Sequence, residues 1–90
     1  MYDYSLIPEH MRHGMKLYLE MGIMPGGFLT AVLHNNLIDA FRYADDVNIE
    51  AMRNWAQFIY WEIPSQAWGS PEKVQKWCME RRKEIIEVTQ

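Results

Sequence analysis

The chain has 90 residues, which is one domain, and a core this small hides only about 60% of the surface its unfolded form exposes. It is nonetheless 49% hydrophobic, with seven Met, four Trp, five Tyr and three Phe, more large apolar side chain than such a core takes in, so self-association is expected. A net charge of -3 excludes an ordinary duplex nucleic-acid binder, the single Cys78 excludes an internal disulfide and points to a reducing cytoplasm, and no run approaches a membrane span.

Tyr2 and Tyr4 come first, in a segment too short for its own core; it is either a loose terminus or an arm that packs on a neighbour or stacks on a base. Pro8 suits a helix start, and Met11, Met15, Leu17, Tyr18 and Met21 recur at helical spacing before Gly22, which suits a C-terminal cap. This predicts a first helix over 8–21. After "IMPGG", the residues Phe28, Leu29, Val32, Leu33, Leu37, Ile38 and Phe41 form one apolar stripe, predicting a second helix over 27–43. Ala31, Ala40 and Ala44 leave room for a close neighbour.

"ADDVN" is a break in which Asp45 or Asp46 can cap a third helix over 47–62, carrying Ile49, Met52, Trp55, Ala56, Ile59 and Tyr60. Pro64 ends it by disfavouring helical geometry at Ile63. Ser70, Pro71 and Glu72 make a cap, a first-turn proline and a first-turn acid for a fourth helix, with Val74, Trp77, Cys78, Ile85 and Val88 on its apolar side. No stretch alternates long enough for a strand. The expected fold is all-α: a compact four-helix protomer spanning 1–90, with short loops.

Catalysis finds no support in the residue pattern. Cys78 sits beside Trp77 on an apolar face and reads as a small buried hydrophobe. Ser5, Ser65 and Ser70 read as turn or cap residues, and the adjacent Asp45 and Asp46 diverge, where an acid/base pair must converge. His10 and His13 share a helix face beside Glu9, but the remaining ligands of a metal site are missing. The residues therefore lead us to expect no enzyme, no metal and no cofactor.

"PGGF" and "WGSP" both place glycine where backbone N–H groups of a helix start point outward. Such a start carries about +0.5 of charge and favours phosphate or carboxylate, and glycine lets an anion approach without a Cβ in the way. Either motif also reads as an ordinary turn, and the spacing fits no nucleotide fingerprint. Arg12, His13 and Lys16 on the helix just before the loop favour the anion reading; Trp68 beside Gly69 either plugs the core or lines a site.

The run "IPEHMRHGMKLYLEMGIMPGGFLTAVLHNNLIDAFRYADDVN", followed by "IYWEIPSQAWGSPEKVQKW", resembles the phage anti-CBASS proteins that act as sponges for cyclic oligonucleotides. The resemblance covers residues 7–77, with "PGGFLTAVLHNNL" and "WGSPEKV" as its most specific parts. It implies a helical protomer assembled into a hexamer in the host cell cytoplasm. It further implies sequestration without cleavage, of cyclic dinucleotides in pockets between protomers and of cyclic trinucleotides at separate sites near three-fold positions. On that basis the expected ligand-binding residues are Tyr4, Glu9, His10, Arg12, His13, Lys16, Met24, Pro25, Gly26, Gly27 and Trp68. His10 or Tyr4 would supply a stacking ring, and Arg12 or Lys16 the charge. The alternative is a small protein that occludes a host enzyme through exposed Met and Trp.

Overall fold

The computed structural model describes residues 2–89, with side chains described through Ile86, so the expected placement of Val88 lies outside the described side chains. Helices account for most of the chain, and no strand occurs among the described residues. A single turn at Tyr4–Leu6 leads into α1 (Glu9–Met21), followed by α2 (Gly27–Leu33), α3 (Leu37–Tyr43), α4 (Asp46–Glu50) and α5 (Met52–Gln57). The last runs directly into a wider π turn at Phe58–Glu62, and a short turn at Ser65–Ala67 precedes the long α6 (Pro71–Thr89).

Six α-helices stand among the described residues where the pattern predicts four, and each extra break has a local cause. The expected helix over 27–43 is cut at His34–Asn36. Asn35 adopts φ 62°, a left-handed conformation that asparagine tolerates better than most side chains. The Asn36 N–H then donates back to the Ala31 carbonyl at 2.9 Å, and its side chain caps α3 by accepting from Asp39 N–H at 3.1 Å. The stripe is thereby rephased: Phe28, Leu29 and Leu33 go inward, while Leu37, Ile38 and Phe41 turn to the surface. The expected helix over 47–62 is interrupted only at Ala51, whose ψ of 9° makes a kink between α4 and α5.

The remaining boundaries follow the residues named for them. Gly22 closes α1 with φ 70°, and its N–H donates to the Tyr18 carbonyl at 3.0 Å. Asp45 is the cap of α4, accepting from Asn48 N–H at 2.8 Å. Ser70 caps α6 by accepting from Lys73 N–H at 3.2 Å.

The core is built from Ile7, the inner face of α1 (Met15, Tyr18, Leu19), α2, Trp55, Phe58 and the first two turns of α6 (Val74, Trp77, Cys78). Its polar atoms are paired. The Tyr18 hydroxyl donates to the Ala67 carbonyl at 2.6 Å, and Trp77 Nε1 donates to the Tyr18 carbonyl at 3.3 Å, tying α1 to the segment that leads into α6. Burial raises the Tyr18 hydroxyl pKa well above its usual range, so it stays a donor.

Asn48 is the one buried polar residue among those described, and its carbonyl oxygen accepts from Trp55 Nε1 at 3.1 Å. Asn48→Ala is expected to leave that indole donor without a partner and to cost about 1–3 kcal/mol in chemical denaturation. Asn48→Asp keeps an acceptor in place and should recover part of the loss.

Candidate functional site

The glycines of the chain divide into two kinds. Gly22 and Gly69 are required by the backbone, with φ of 70° and 119°. A Cβ on Gly22 would stand 2.5 Å from the Cys78 carbonyl oxygen, so α6 packs against bare backbone there. The Gly69 N–H donates to the Leu33 carbonyl at 2.8 Å, so this expected free donor of "WGSP" is already used.

Gly26 and Gly27 are different. Gly26 has φ −71° and ψ −176°, extended backbone open to any residue, and a Cβ built on it meets nothing within 4 Å. Gly27 is ordinary helix, and its Cβ would make only van der Waals contact with the Tyr43 ring at 3.8 Å. Neither conformation nor packing within the chain calls for glycine at these two positions. Gly26→Ala is accordingly expected to shift the melting temperature by no more than a few degrees, in contrast to any side chain at Gly22.

The loop carrying them is held from behind. Thr30 Oγ donates to the Pro25 carbonyl at 3.1 Å, Arg82 Nε donates to the Gly22 carbonyl at 3.1 Å, and Met24 Sδ lies 3.4 Å from Cys78 Sγ. Gly26 offers no side-chain cap, which leaves the first N–H groups of α2 without the partner a Ser or Asp would supply.

Around this helix start the structure assembles a different set of side chains from the expected one. Tyr43 lies over Gly27 with its ring more than half exposed, and the Arg42 guanidinium sits 5.3 Å from its centroid. Two residues further on, Asp45 Oδ2 meets His10 Nε2 at 2.9 Å. The end of α3 thus joins the start of α1 to the glycine loop. The Asp45 carboxyl is held below its usual pKa by the Asn48 N–H first and by His10 second.

Of the expected ligand residues, Pro25, Gly26 and Gly27 form this loop with Met24 just before them, while His10 is linked to it only through Asp45, two residues beyond Tyr43. His13 and Lys16 lie exposed on the outer face of α1, and their side chains make no hydrogen bond or ion pair among the described residues. Glu9 is exposed in the first turn of α1, where its charge suits the helix N-terminus.

Three expected roles change. Arg12 is part-buried and donates its Nε to the Ile7 carbonyl at 3.0 Å, clamping the chain entry into α1. Tyr4 packs on the buried Phe58 with ring centroids 5.9 Å apart and donates its hydroxyl to Glu20 at 3.2 Å, so its ring is a core component and not a free stacking surface. Trp68 adjoins the Leu33 end of α2, about 10 Å along the helix axis from Gly27. Tyr43 and Arg42 were missed because an exposed aromatic at a helix end looks, in one dimension, like any other helical residue.

Cys78 is buried, its thiol pushed up by that burial and only partly drawn back by Arg82, so it is a weak nucleophile. Among the described residues no group of three or more His, Cys, Asp or Glu gathers, and no helix is long and apolar enough to cross a membrane. No protein-family model, no curated protein and no solved structure matches the chain.

Proposed function

We propose that the chain binds cyclic oligonucleotides, cyclic di- and trinucleotides, and sequesters them without cleavage, in the manner of the anti-CBASS sponges it resembles. The observation that carries this reading is the pair Gly26 and Gly27: two glycines the fold does not need, at an uncapped helix start beside an exposed tyrosine. Glycine there is accounted for by something outside the chain that approaches the backbone closely. A phosphate suits the free N–H groups of α2, where a charge-assisted hydrogen bond is worth about 1.5–3 kcal/mol. A base suits the Tyr43 ring, where stacking adds roughly 1–3 kcal/mol.

In this reading the protein is a homo-oligomer, a hexamer by the resemblance, working in the host cell cytoplasm. It turns nothing over. Incubation with a cyclic dinucleotide, followed by heating to release it, should return the ligand with unchanged mass; a linear product would sink the sequestration reading. Tyr43→Ala, at an exposed position, should weaken binding by at least about fivefold in calorimetry while the fold is retained. A second reading, occlusion of a host enzyme, is favoured by one feature, the exposed apolar side chains of α3 and the π turn. Capture of one dominant host protein by a chain that binds no cyclic nucleotide would select it.

A further inference from the structure

Where Asn35 turns left-handed, α3 folds back beside α2, and the pair leaves a groove of about 500 Å³ against α5 and the π turn. Its floor includes the buried Ala31, Ala40 and Trp55, and its walls carry Phe41, Tyr60 and Trp68. Alanine at two floor positions leaves open the space that a larger side chain would fill. Trp55 Nε1 donates to Asn48, so its indole offers the groove apolar ring surface alone.

One cation stands at this apolar groove. Arg53 is the only charged residue lining it. Every other arginine has a partner: Arg42 and Arg81 are paired with Asp39 and Glu84, and Arg12 and Arg82 donate to the carbonyls of Ile7 and Gly22. The Arg53 guanidinium makes no hydrogen bond, ion pair or ring contact among the described residues. In a chain of net charge -3, an uncompensated guanidinium beside aromatic rings is a local complement to an anion. Its planar fork of donors matches a carboxylate.

We infer that the groove binds a small aromatic carboxylate, its rings among Phe41, Tyr60 and Trp68 and its carboxylate on Arg53. The volume falls within the range of small-molecule sites, roughly 300–1,000 Å³, and such sites are apolar and aromatic with a few polar groups that fix orientation. Two fused rings with a short acidic arm suit both the space and the single charge. A cyclic oligonucleotide does not, because its several phosphates and ring heteroatoms would meet one cation and an apolar floor. The groove is separate from the glycine loop, and its ligand does not depend on the nucleotide reading.

The test is calorimetric titration of the parent, Arg53→Gln and Ala56→Leu with naphthylacetate, naphthylacetamide and naphthylethylamine, which share one ring system and differ in charge. The parent should bind the acid saturably, the neutral amide about five- to tenfold more weakly and the cationic amine more weakly still. That factor lies between the worth of an exposed ion pair and that of a charge-assisted hydrogen bond. Arg53→Gln should weaken the acid by the same factor and leave the amide unchanged, which also shows that the groove is intact. Ala56→Leu fills the groove from an exposed lining position and should weaken acid and amide alike, with helical circular dichroism retained. A cyclic dinucleotide should not displace the acid. A parent that fails to bind the acid, or binds all three probes alike, overturns the inference. So does an Arg53→Gln variant that holds the acid as the parent does, an Ala56→Leu variant that binds unchanged, or displacement of the acid by the cyclic dinucleotide.

Discussion

Gly22→Ala is expected to lower stability by about 2–5 kcal/mol and the melting temperature by more than about 10 °C. Two costs add. A left-handed conformation disfavours any L side chain by roughly 1–2 kcal/mol, and Gly22 sits at φ 70°. The new Cβ would also stand 2.5 Å from the Cys78 carbonyl oxygen and 2.9 Å from the Arg81 Cβ, both on the rigid backbone of α6 or next to it. Relief requires α6 to move off α1, which disturbs the Arg82 contact to Gly22 and the Tyr18–Trp77 bond nearby. Gly22→Asn should cost less than Gly22→Ala in backbone terms but meet the same clash. Thermal unfolding followed by circular dichroism measures both; an alanine variant that melts with the parent would contradict the packing of α6 on bare backbone.

Phe58→Ala should cost about 3–5 kcal/mol, a large part of the total stability of a domain this size. The ring is fully buried, and Tyr4 packs on it from the N-terminal turn. Tyr4 in turn contacts Tyr2 at 6.1 Å between ring centroids, so one cavity undercuts the whole N-terminal segment. Hydrogen exchange should therefore show faster opening at Tyr4–Leu6 as well as at the π turn. An N-terminal segment that exchanges as in the parent would mean that it is not anchored by this ring.

Helix ends were the most legible part of the sequence, because capping depends on residues close in the chain. Gly22, Asp45, Pro64 and Ser70 each do locally what their residue types favour. The break at Asn35–Asn36 was hidden by its own surroundings. Leu33 and Leu37 keep a helical spacing across it, so the apolar stripe reads as continuous although the backbone between them turns left-handed. Which half of that stripe is buried depends on contacts with α1 and α5, Leu29 beside Gly14 and Phe28 edge-on to Trp55, which no local pattern encodes.

The site was legible in the same uneven way. The glycine loop stood out by composition, but the difference between Gly22, which the fold requires, and Gly26 and Gly27, which it does not, needed φ angles and neighbours. Arg12 was an expected phosphate ligand because it carries charge near the loop, and it is instead engaged with the Ile7 carbonyl. Tyr43 reaches Gly27 only because α3 folds back onto α2, a contact between positions sixteen residues apart. Its role could be read only after the break at Asn35 was known.

The glycine loop as the binding site is tested most directly by calorimetric titration of the parent and Gly26→Val with a cyclic dinucleotide and a cyclic trinucleotide. Valine at Gly26 fits the extended backbone and meets no atom of the chain within 4 Å at its Cβ, so folding should change by less than about 1 kcal/mol. Its methyl groups stand where a phosphate would reach the first N–H groups of α2. The expected result is saturable binding by the parent, weakened at least about tenfold in the folded valine variant, the equivalent of one charge-assisted hydrogen bond. A parent that binds neither ligand, or a valine variant that binds as tightly as the parent, would contradict the account.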